Sequence, residues 1–226
     1  MSPIRKILLL FIAAVLLISP VCLADAPSES VPYTVACVGD SLTLGIGSTE
    51  PRTESWPAVL QRCDGALDLT TYNFGVYGTT VENGMPWSYT LTPSYRASLQ
   101  CGADVYLILL GSNDSNSPTR NENFEAAYRE LLEQYLALPQ QPQVIVLLPP
   151  DMYFADGSFW RMSNENIVPL RETERSIAEE FDLPVIDLTE LGSMEEYCVD
   201  GGHFSSEGYA IFARYIYDNL SSLLAL

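Results

Sequence analysis

Residues 103–111 read ADVYLILLG, and this stretch determines the fold class. After Asp104 every residue up to Leu110 is apolar, and Gly111 ends the run. A short, continuous apolar run of this kind predicts a strand that is buried on both faces. Such strands belong to parallel sheets covered by helices, so we expect the chain to alternate strands with helices.

The rest of the chain has this alternation. Apolar or β-branched runs predict further strands at Tyr33–Val38, Leu67–Phe74, Gln143–Leu148 and Leu183–Leu188. Helical spacing of apolar residues predicts helices at Trp56–Cys63, Ser94–Gln100, Asn123–Leu138, Asn166–Phe181 and Ser205–Leu224. The pattern predicts one α/β domain over residues 33–226, a three-layer α/β/α sandwich around a mostly parallel five-stranded sheet.

The first 26 residues have the features of an export signal, and residues 27–32 form a short polar leader. Arg5 and Lys6 precede an unbroken apolar run from Ile7 to Ile18, and Ala24-Asp25-Ala26 is a small-residue cleavage site. A retained membrane anchor is the weaker alternative, because the apolar run is too short to span a bilayer comfortably. Lipidation of Cys22 is disfavoured by the residues before it. We expect a secreted or extracytoplasmic protein without stable membrane association.

The chain is strongly acidic, with 29 Asp and Glu against 11 Lys and Arg and a net charge of −18. Cleavage after Ala26 removes two basic residues and one acidic residue, which leaves −19 and no lysine. A surface with this charge repels phosphate backbones and anionic membranes, so nucleic acid is excluded as a partner. The sequence predicts no particular oligomeric state.

Four cysteines follow the predicted signal and allow three full disulfide pairings. Cys37 lies in a strand pattern and is expected to be a buried small hydrophobe. Cys63 and Cys101 each end a helical segment just before a strand, so they are the preferred pair, although the sequence does not determine the pairing. No C-x-x-C spacing is present and the chain has one histidine, which argues against zinc. The NDSNS segment at residues 113–117 is not a calcium loop and is expected to be a solvated loop, so no metal and no cofactor is predicted.

Polar residues that can perform chemistry follow the predicted strands. Ligand-binding groups of open α/β sheets collect at the carboxyl ends of the strands. A serine hydroxyl becomes a nucleophile when a histidine takes its proton and a carboxylate orients that histidine. Ser41 follows the first strand, and the only histidine, His203, has Asp200 three residues before it. These three residues are therefore candidates for a catalytic triad.

Acyl transfer also requires donors for the oxyanion of the transition state. The Ser41 N–H, the Gly78 N–H and the Asn113 side-chain amide are the candidates. Each residue also has a structural interpretation: Ser41 as a helix cap, Gly78 as a turn glycine, Asn113 as a loop hydrogen-bonder and His203 as a helix start. Their joint occurrence favours the catalytic interpretation, with Asp40 as a local hydrogen-bonder.

Four sequence blocks in order resemble the SGNH hydrolase family, also called GDSL esterases and lipases. They are GDSLT at residues 39–43, NFGVYG at 73–78, LLGSND at 109–114 and DGGH at 200–203. The resemblance implies a flavodoxin-like fold, the triad Ser41, Asp200 and His203, and an oxyanion hole of Ser41, Gly78 and Asn113. Gly75 is an alternative register for the glycine block, and Asn73 favours Gly78. Thr79 stands where members of the family often have Asp.

Competing motifs fail on spacing. The serine block lacks the second glycine of the Gly-x-Ser-x-Gly elbow of α/β-hydrolases. Gly45 and Gly47 begin a Gly-x-Gly pattern, but no further glycine or lysine follows at the spacing that nucleotide binding requires.

We expect a secreted serine esterase that removes short acyl groups, acetyl first, from carbohydrates or from small-molecule esters. Four aromatic residues of the glycine-rich and following loops could stack on sugar rings or equally could pack in the core: Tyr77, Trp87, Tyr89 and Tyr95. A lipase, lysophospholipase or thioesterase using the same triad is one alternative. A non-catalytic carbohydrate-binding protein is the other.

Overall fold

A computed structural model describes residues 31–83, 86–116, 123–155 and 162–224. The predicted signal peptide and the leader up to residue 30 lie outside these ranges. Within the described part of the chain, no helix combines the length and the apolar character needed to cross a membrane.

Five strands form one sheet, and all four strand pairings are parallel. The strands are β1 (Val31–Gly39), β2 (Leu67–Gly75), β3 (Val105–Leu109), β4 (Gln143–Leu148) and β5 (Val185–Asp187). Their spatial order is β2-β1-β3-β4-β5, which is the flavodoxin-like order. The predicted fold class is confirmed, and β1 begins two residues earlier than predicted.

Seven α-helices surround the sheet in the described residues. They are α1 (Ser41–Leu44), α2 (Pro51–Glu54), α3 (Trp56–Leu60), α4 (Pro93–Gln100), α5 (Phe124–Leu136), α6 (Asn164–Glu180) and α7 (Ser206–Leu224). Helices α3 and α7 pack on one face of the sheet, and α4, α5 and α6 pack on the other. The alternation of side chains along β1 follows these layers, since Cys37 contacts the α7 side and Val38 the α5 side.

The structure places the preferred disulfide pair on opposite sides of the sheet. Cys63 packs in the layer of α3 and α7, whereas Cys101 packs in the layer of α4 and α5. Both are free thiols, and the predicted Cys63–Cys101 pairing is therefore wrong. The Cys101 thiol instead donates to the Ser98 carbonyl oxygen at 3.1 Å. The prediction that Cys37 is buried is confirmed, since its exposed fraction is 0%.

Candidate active site

The carboxyl ends of β1, β2 and β3 meet at one edge of the sheet, and the site is built there. Ser41 is the first residue of α1, which follows β1 directly. The close packing of this turn depends on Gly39, because a Cβ there would lie 2.1 Å from Thr43 Oγ1 and 2.5 Å from the Leu109 carbonyl oxygen. Glycine is therefore required at the crossing of β1, β3 and α1.

The structure brings Ser41, His203 and Asp200 together although Ser41 and His203 are 162 residues apart. Ser41 Oγ lies 2.8 Å from His203 Nε2, and His203 Nδ1 lies 2.7 Å from Asp200 Oδ2. The other carboxylate oxygen, Oδ1, accepts the His203 N–H at 2.8 Å and the Gly202 N–H at 3.1 Å. The loop before α7 thus holds the carboxylate and the imidazole in one arrangement.

The electrostatics of this triad determine the tautomer of His203. Burial raises the pKa of the Asp200 carboxyl, but the hydrogen bonds from the His203 ring and from two N–H groups outweigh it, so the pKa lies below its ordinary value. An ionised carboxylate can only accept, and therefore Nδ1 carries the hydrogen. Nε2 is then the lone-pair atom facing the Ser41 hydroxyl, as a general base requires.

Gly78, and not Gly75, faces the space beside Ser41. A Cβ at Gly75 would lie 2.2 Å from the Leu44 N, so this glycine serves the packing of β2 against α1. Gly78 lines the cavity that contains Ser41, has a φ of +71° and would have nothing within 4 Å of an added Cβ. The Ser41 N–H is the other backbone donor, because the first residue of a helix has no intrahelical acceptor for it.

Asn113 lies at the same cavity, with its amide between two protein acceptors. Nδ2 donates to the Thr79 carbonyl oxygen at 2.9 Å and to Asp40 Oδ2 at 3.2 Å. Both amide hydrogens are thus engaged, and donation to an oxyanion requires that the longer bond to Asp40 be exchanged. The prediction that Asp40 is a local hydrogen-bonder is confirmed, since its other oxygen accepts the Leu42 N–H at 2.9 Å.

Sequence reasoning missed a buried group of carboxyls beneath this site. Burial raises the pKa of Asp40 and that of Asp114 to about 7, and burial also raises the pKa of Glu174. Asp114 accepts the N–H groups of Val81 and Glu82, each at 3.0 Å, and so joins the Asn113 turn to the loop after Gly78. The predicted solvated loop is therefore wrong at Asp114, which is 5% exposed.

Glu174 reaches this group from α6, on which no sequence motif marked it. Its side chain is fully buried, and neither oxygen has a hydrogen-bond partner among the described residues. A Cβ on Gly111, whose φ is +105°, would lie 2.1 Å from Glu174 Oε1. The signal that could have found Glu174 is its place on the apolar face of α6 beside Leu170, Ile177 and Ala178.

The cavity at the site has a volume of about 430 Å³, which is within the range of small-molecule sites. The residues that line it include Ser41, Asp200 and His203, the oxyanion-hole candidates and two further acidic side chains, Glu82 and Asp114. Several large apolar or aromatic side chains also line it: Tyr77, Trp87, Met152, Phe154 and Met162. The described residues contain no cluster of His, Cys, Asp and Glu that could hold a metal ion. The arrangement thus brings a hydroxyl, an imidazole, a carboxylate and N–H donors to one cavity, which are the groups that acyl transfer by a serine requires.

Residues 37–211 match the GDSL-like lipase/acylhydrolase family. The chain belongs to this family. Its members are lipases and acylhydrolases, which places this GDSL domain among the carboxylic ester hydrolases. The SGNH resemblance of the four sequence blocks is thereby confirmed at the level of the family.

This GDSL domain is similar to an esterase in sequence and to solved esterase structures in fold. An acetylxylan esterase of Xylanibacter ruminicola is 26% identical to it over 84% of this chain and 43% of that protein, so the chain spans less than half of this relative. Among solved structures, a carbohydrate acetylesterase from Sinorhizobium meliloti covers 84% of this chain and 99% of its own, with 23% identity and a TM-score of 0.69. The native M. smegmatis aryl esterase has the same coverage, with 21% identity and a TM-score of 0.68.

Proposed function

We propose that this protein is a serine esterase that hydrolyses short acyl esters, acetyl esters of carbohydrates first, through an acyl-enzyme on Ser41. The observation that carries the proposal is the continuous chain of contacts from Asp200 to His203 and from His203 to the Ser41 hydroxyl, at 2.7 Å and 2.8 Å. These distances allow proton transfer without rearrangement. The sugar and the acetyl group are proposed from the acetylxylan esterase and carbohydrate acetylesterase relatives.

In the proposed first step, Ser41 Oγ forms a bond to the ester carbonyl carbon while His203 Nε2 takes the hydroxyl proton. The carbonyl oxygen becomes an oxyanion and accepts from the Ser41 N–H, the Gly78 N–H and the Asn113 amide. The carbon–oxygen bond to the alcohol then breaks, and His203 gives its proton to the leaving oxygen. The product of this half-reaction is an acyl-Ser41 ester and a free alcohol.

In the second step, water attacks the acyl carbon while His203 Nε2 takes a water proton. The bond to Ser41 Oγ breaks, His203 returns the proton to Ser41, and the carboxylic acid leaves. Asp200 remains ionised throughout and stabilises the imidazolium in both steps.

Replacement of Ser41 tests the nucleophile directly. Ser41→Ala should lower kcat for p-nitrophenyl acetate by about 10⁴-fold or more, because the covalent route is lost. A fluorophosphonate should label the wild type on Ser41 and leave the variant unlabelled. Ser221→Ala, on α7 outside the cavity, is the matched control and should retain both properties. A wild-type protein that neither hydrolyses the ester nor reacts with the fluorophosphonate would support the carbohydrate-binding alternative.

The long-chain alternatives are favoured by one observation, the apolar side chains of Met152, Phe154 and Met162 along the cavity. A series of p-nitrophenyl esters from acetate to laurate separates the two functions. Our proposal expects kcat/KM to be highest for acetate and propionate. A maximum at eight carbons or longer would replace it with a lipase, lysophospholipase or thioesterase function.

Export is also part of the proposal. It is supported by the Arg5-Lys6 start, the apolar run of Ile7 to Ile18 and the small-residue site at Ala24-Asp25-Ala26. Expression of the full chain with analysis of the culture fluid tests it. The expected product begins at Pro27, and an intact N-terminus on cell-associated protein would contradict it.

A further inference from the structure

Two large aromatic side chains at the cavity are exposed to solvent. Tyr77 is 56% exposed and Trp87 is 46% exposed, and both line the cavity that contains Ser41. Water contact with an apolar ring is unfavourable by about 25 cal/mol per Å². Exposed rings beside a nucleophile therefore indicate a ligand that covers them.

Only part of the aromatic set named from the sequence is available for such a contact. Tyr89 is fully buried and its hydroxyl donates to the Phe74 carbonyl oxygen at 2.9 Å. Tyr95 is half-buried and packs edge-on against Tyr89 with the ring centroids 6.0 Å apart. The core-packing interpretation therefore holds for these two tyrosines, and the stacking interpretation remains for Tyr77 and Trp87.

Both exposed residues have contacts with neighbouring parts of the site. The Tyr77 ring stacks on the His203 ring, with centroids 6.1 Å apart and 26° between the planes. The Trp87 carbonyl oxygen accepts the Thr80 N–H at 3.1 Å, which joins this segment to the loop after Gly78. A ligand that covers the Tyr77 ring, which already packs on His203, loses less free energy to ordering the protein than one that must order a flexible side chain.

The charges at the cavity limit the chemistry of this ligand. The carboxylates of Glu82 and Asp200 line the cavity, and the described lining residues include no Lys or Arg. Carboxylates accept hydrogen bonds from hydroxyl groups, whereas they repel a phosphate or a uronate. A neutral molecule with hydroxyl donors and one apolar face satisfies both the acids and the rings, and a neutral pyranose has these properties.

We propose that Tyr77 and Trp87 form a stacking subsite for the sugar ring of a neutral acetylated glycan, which presents its acetyl group to Ser41. This inference rests on the proposed esterase function and adds the ring-binding residues and the charge selection. Phospholipid esters and acetylated uronates are disfavoured by the same acidic lining.

The test compares three acetyl esters: acetylated xylo-oligosaccharide, triacetin, which has no ring, and acetylated oligogalacturonide, which is anionic. The substitutions are made at Trp87. Tyr77 is not substituted because it contacts His203, and a change there would also affect the proposed base. For Trp87→Ala we expect the ratio of kcat/KM on the xylo-oligosaccharide to that on triacetin to fall at least tenfold, mainly through KM. Trp87→Tyr, which keeps a ring, should restore the ratio to within about threefold of the wild type.

Tyr72 supplies the matched control, because its exposed ring lies on β2 outside the cavity lining. Tyr72→Ala should leave the ratio unchanged. Circular dichroism of each variant checks the fold. If Trp87→Ala folds poorly, competitive inhibition of the wild type and of Trp87→Tyr provides a second measurement. Deacetylated xylo-oligosaccharide should inhibit triacetin hydrolysis competitively in the wild type and in Trp87→Tyr.

The outcomes separate this inference from the proposed function. A wild type without activity on any of the three esters overturns the esterase proposal. Hydrolysis of triacetin with an unchanged ratio in Trp87→Ala, or with no inhibition of the wild type by the deacetylated oligosaccharide, overturns the stacking subsite alone. A preference for the oligogalacturonide over the neutral oligosaccharide overturns the charge selection.

Discussion

At the scale of residues, three buried carboxyls make the stability depend on pH: Asp40, Asp114 and Glu174. Each carboxyl has a folded-state pKa above its ordinary value, about 7 for Asp40 and Asp114, because burial disfavours the charged form. The folded state therefore binds more protons than the unfolded state between about pH 4 and pH 7. The stability that these groups contribute is complete below the unfolded pKa and is lost as the pH rises through the folded pKa.

Glu174→Gln tests whether the buried carboxyl lowers stability as the pH rises. A neutral amide in place of the carboxyl removes the cost of ionising a buried group at high pH. The Tm of the variant, relative to that of the wild type, should therefore rise by several degrees between pH 4.5 and pH 8. Calorimetry measures it. Glu172→Gln, at an exposed position on the same helix, should give a difference that does not change with pH; the same flat result for Glu174→Gln would refute the explanation.

Asn113 allows a second prediction at this scale. Asn113→Ala removes the proposed side-chain donor to the oxyanion, so kcat should fall by about 10²–10³-fold while KM changes little. Steady-state kinetics on p-nitrophenyl acetate provide the measurement. Asn219→Ala on α7 is the control, since the Asn219 amide donates to the Tyr215 carbonyl oxygen away from the cavity. An unchanged kcat in Asn113→Ala would show that the Asn113 amide does not stabilise the oxyanion.

At the scale of elements, the strands could be predicted and the shortest helices could not. The apolar run of β3 is read directly from the sequence because the strand is buried on both faces. Helices α1 and α2 have four residues each, which is too few for a helical period. The Asp40 side chain, which accepts the Leu42 N–H, and close packing of the β1–α1 turn define α1 instead.

The same contrast applies to the candidate site. Ser41, Gly78, Asn113, Asp200 and His203 were identifiable because chemistry restricts the residue types at each position. The buried carboxyl of Glu174 was missed: its place on the apolar face of α6 indicates burial, but its approach to the Gly111 turn depends on tertiary packing. The exposure of Tyr77 compared with the burial of Tyr89 likewise depends on tertiary contacts.

Alanine substitutions at Gly39, at the end of β1, and at Gly78, in the loop after β2, should have opposite effects on stability and activity. Gly39→Ala forces a Cβ against the Leu109 backbone oxygen at 2.5 Å, so the free energy of unfolding should fall by about 3 kcal/mol or more. Gly78→Ala has open space around its Cβ and should cost only about 1 kcal/mol for its positive φ, but the methyl group enters the cavity and should lower kcat/KM. Urea unfolding and ester kinetics on both variants measure the two effects. An equal loss in the free energy of unfolding would contradict the packing role of Gly39 and the cavity-lining role of Gly78.

At the scale of the whole molecule, the sheet separates the two apolar layers and with them Cys63 and Cys101. We expect peptide mapping under non-reducing conditions to find no Cys63–Cys101 disulfide. The double variant Cys63→Ser, Cys101→Ser should lose no more than about 1 kcal/mol, because no loop-closing bond is removed. A Tm that falls by ten degrees or more, together with a mapped disulfide, would restore the pairing.

The active site joins the two ends of the described chain. Ser41 comes from the first strand, whereas His203 lies 162 residues later in the loop before α7. During synthesis the proposed nucleophile therefore leaves the ribosome long before the proposed base. A nascent chain that lacks the residues beyond 199 has a serine without an imidazole. With the proposed triad, we therefore expect hydrolytic activity to begin only after the loop before α7 has reached Ser41, so that the appearance of activity reports completion of the fold.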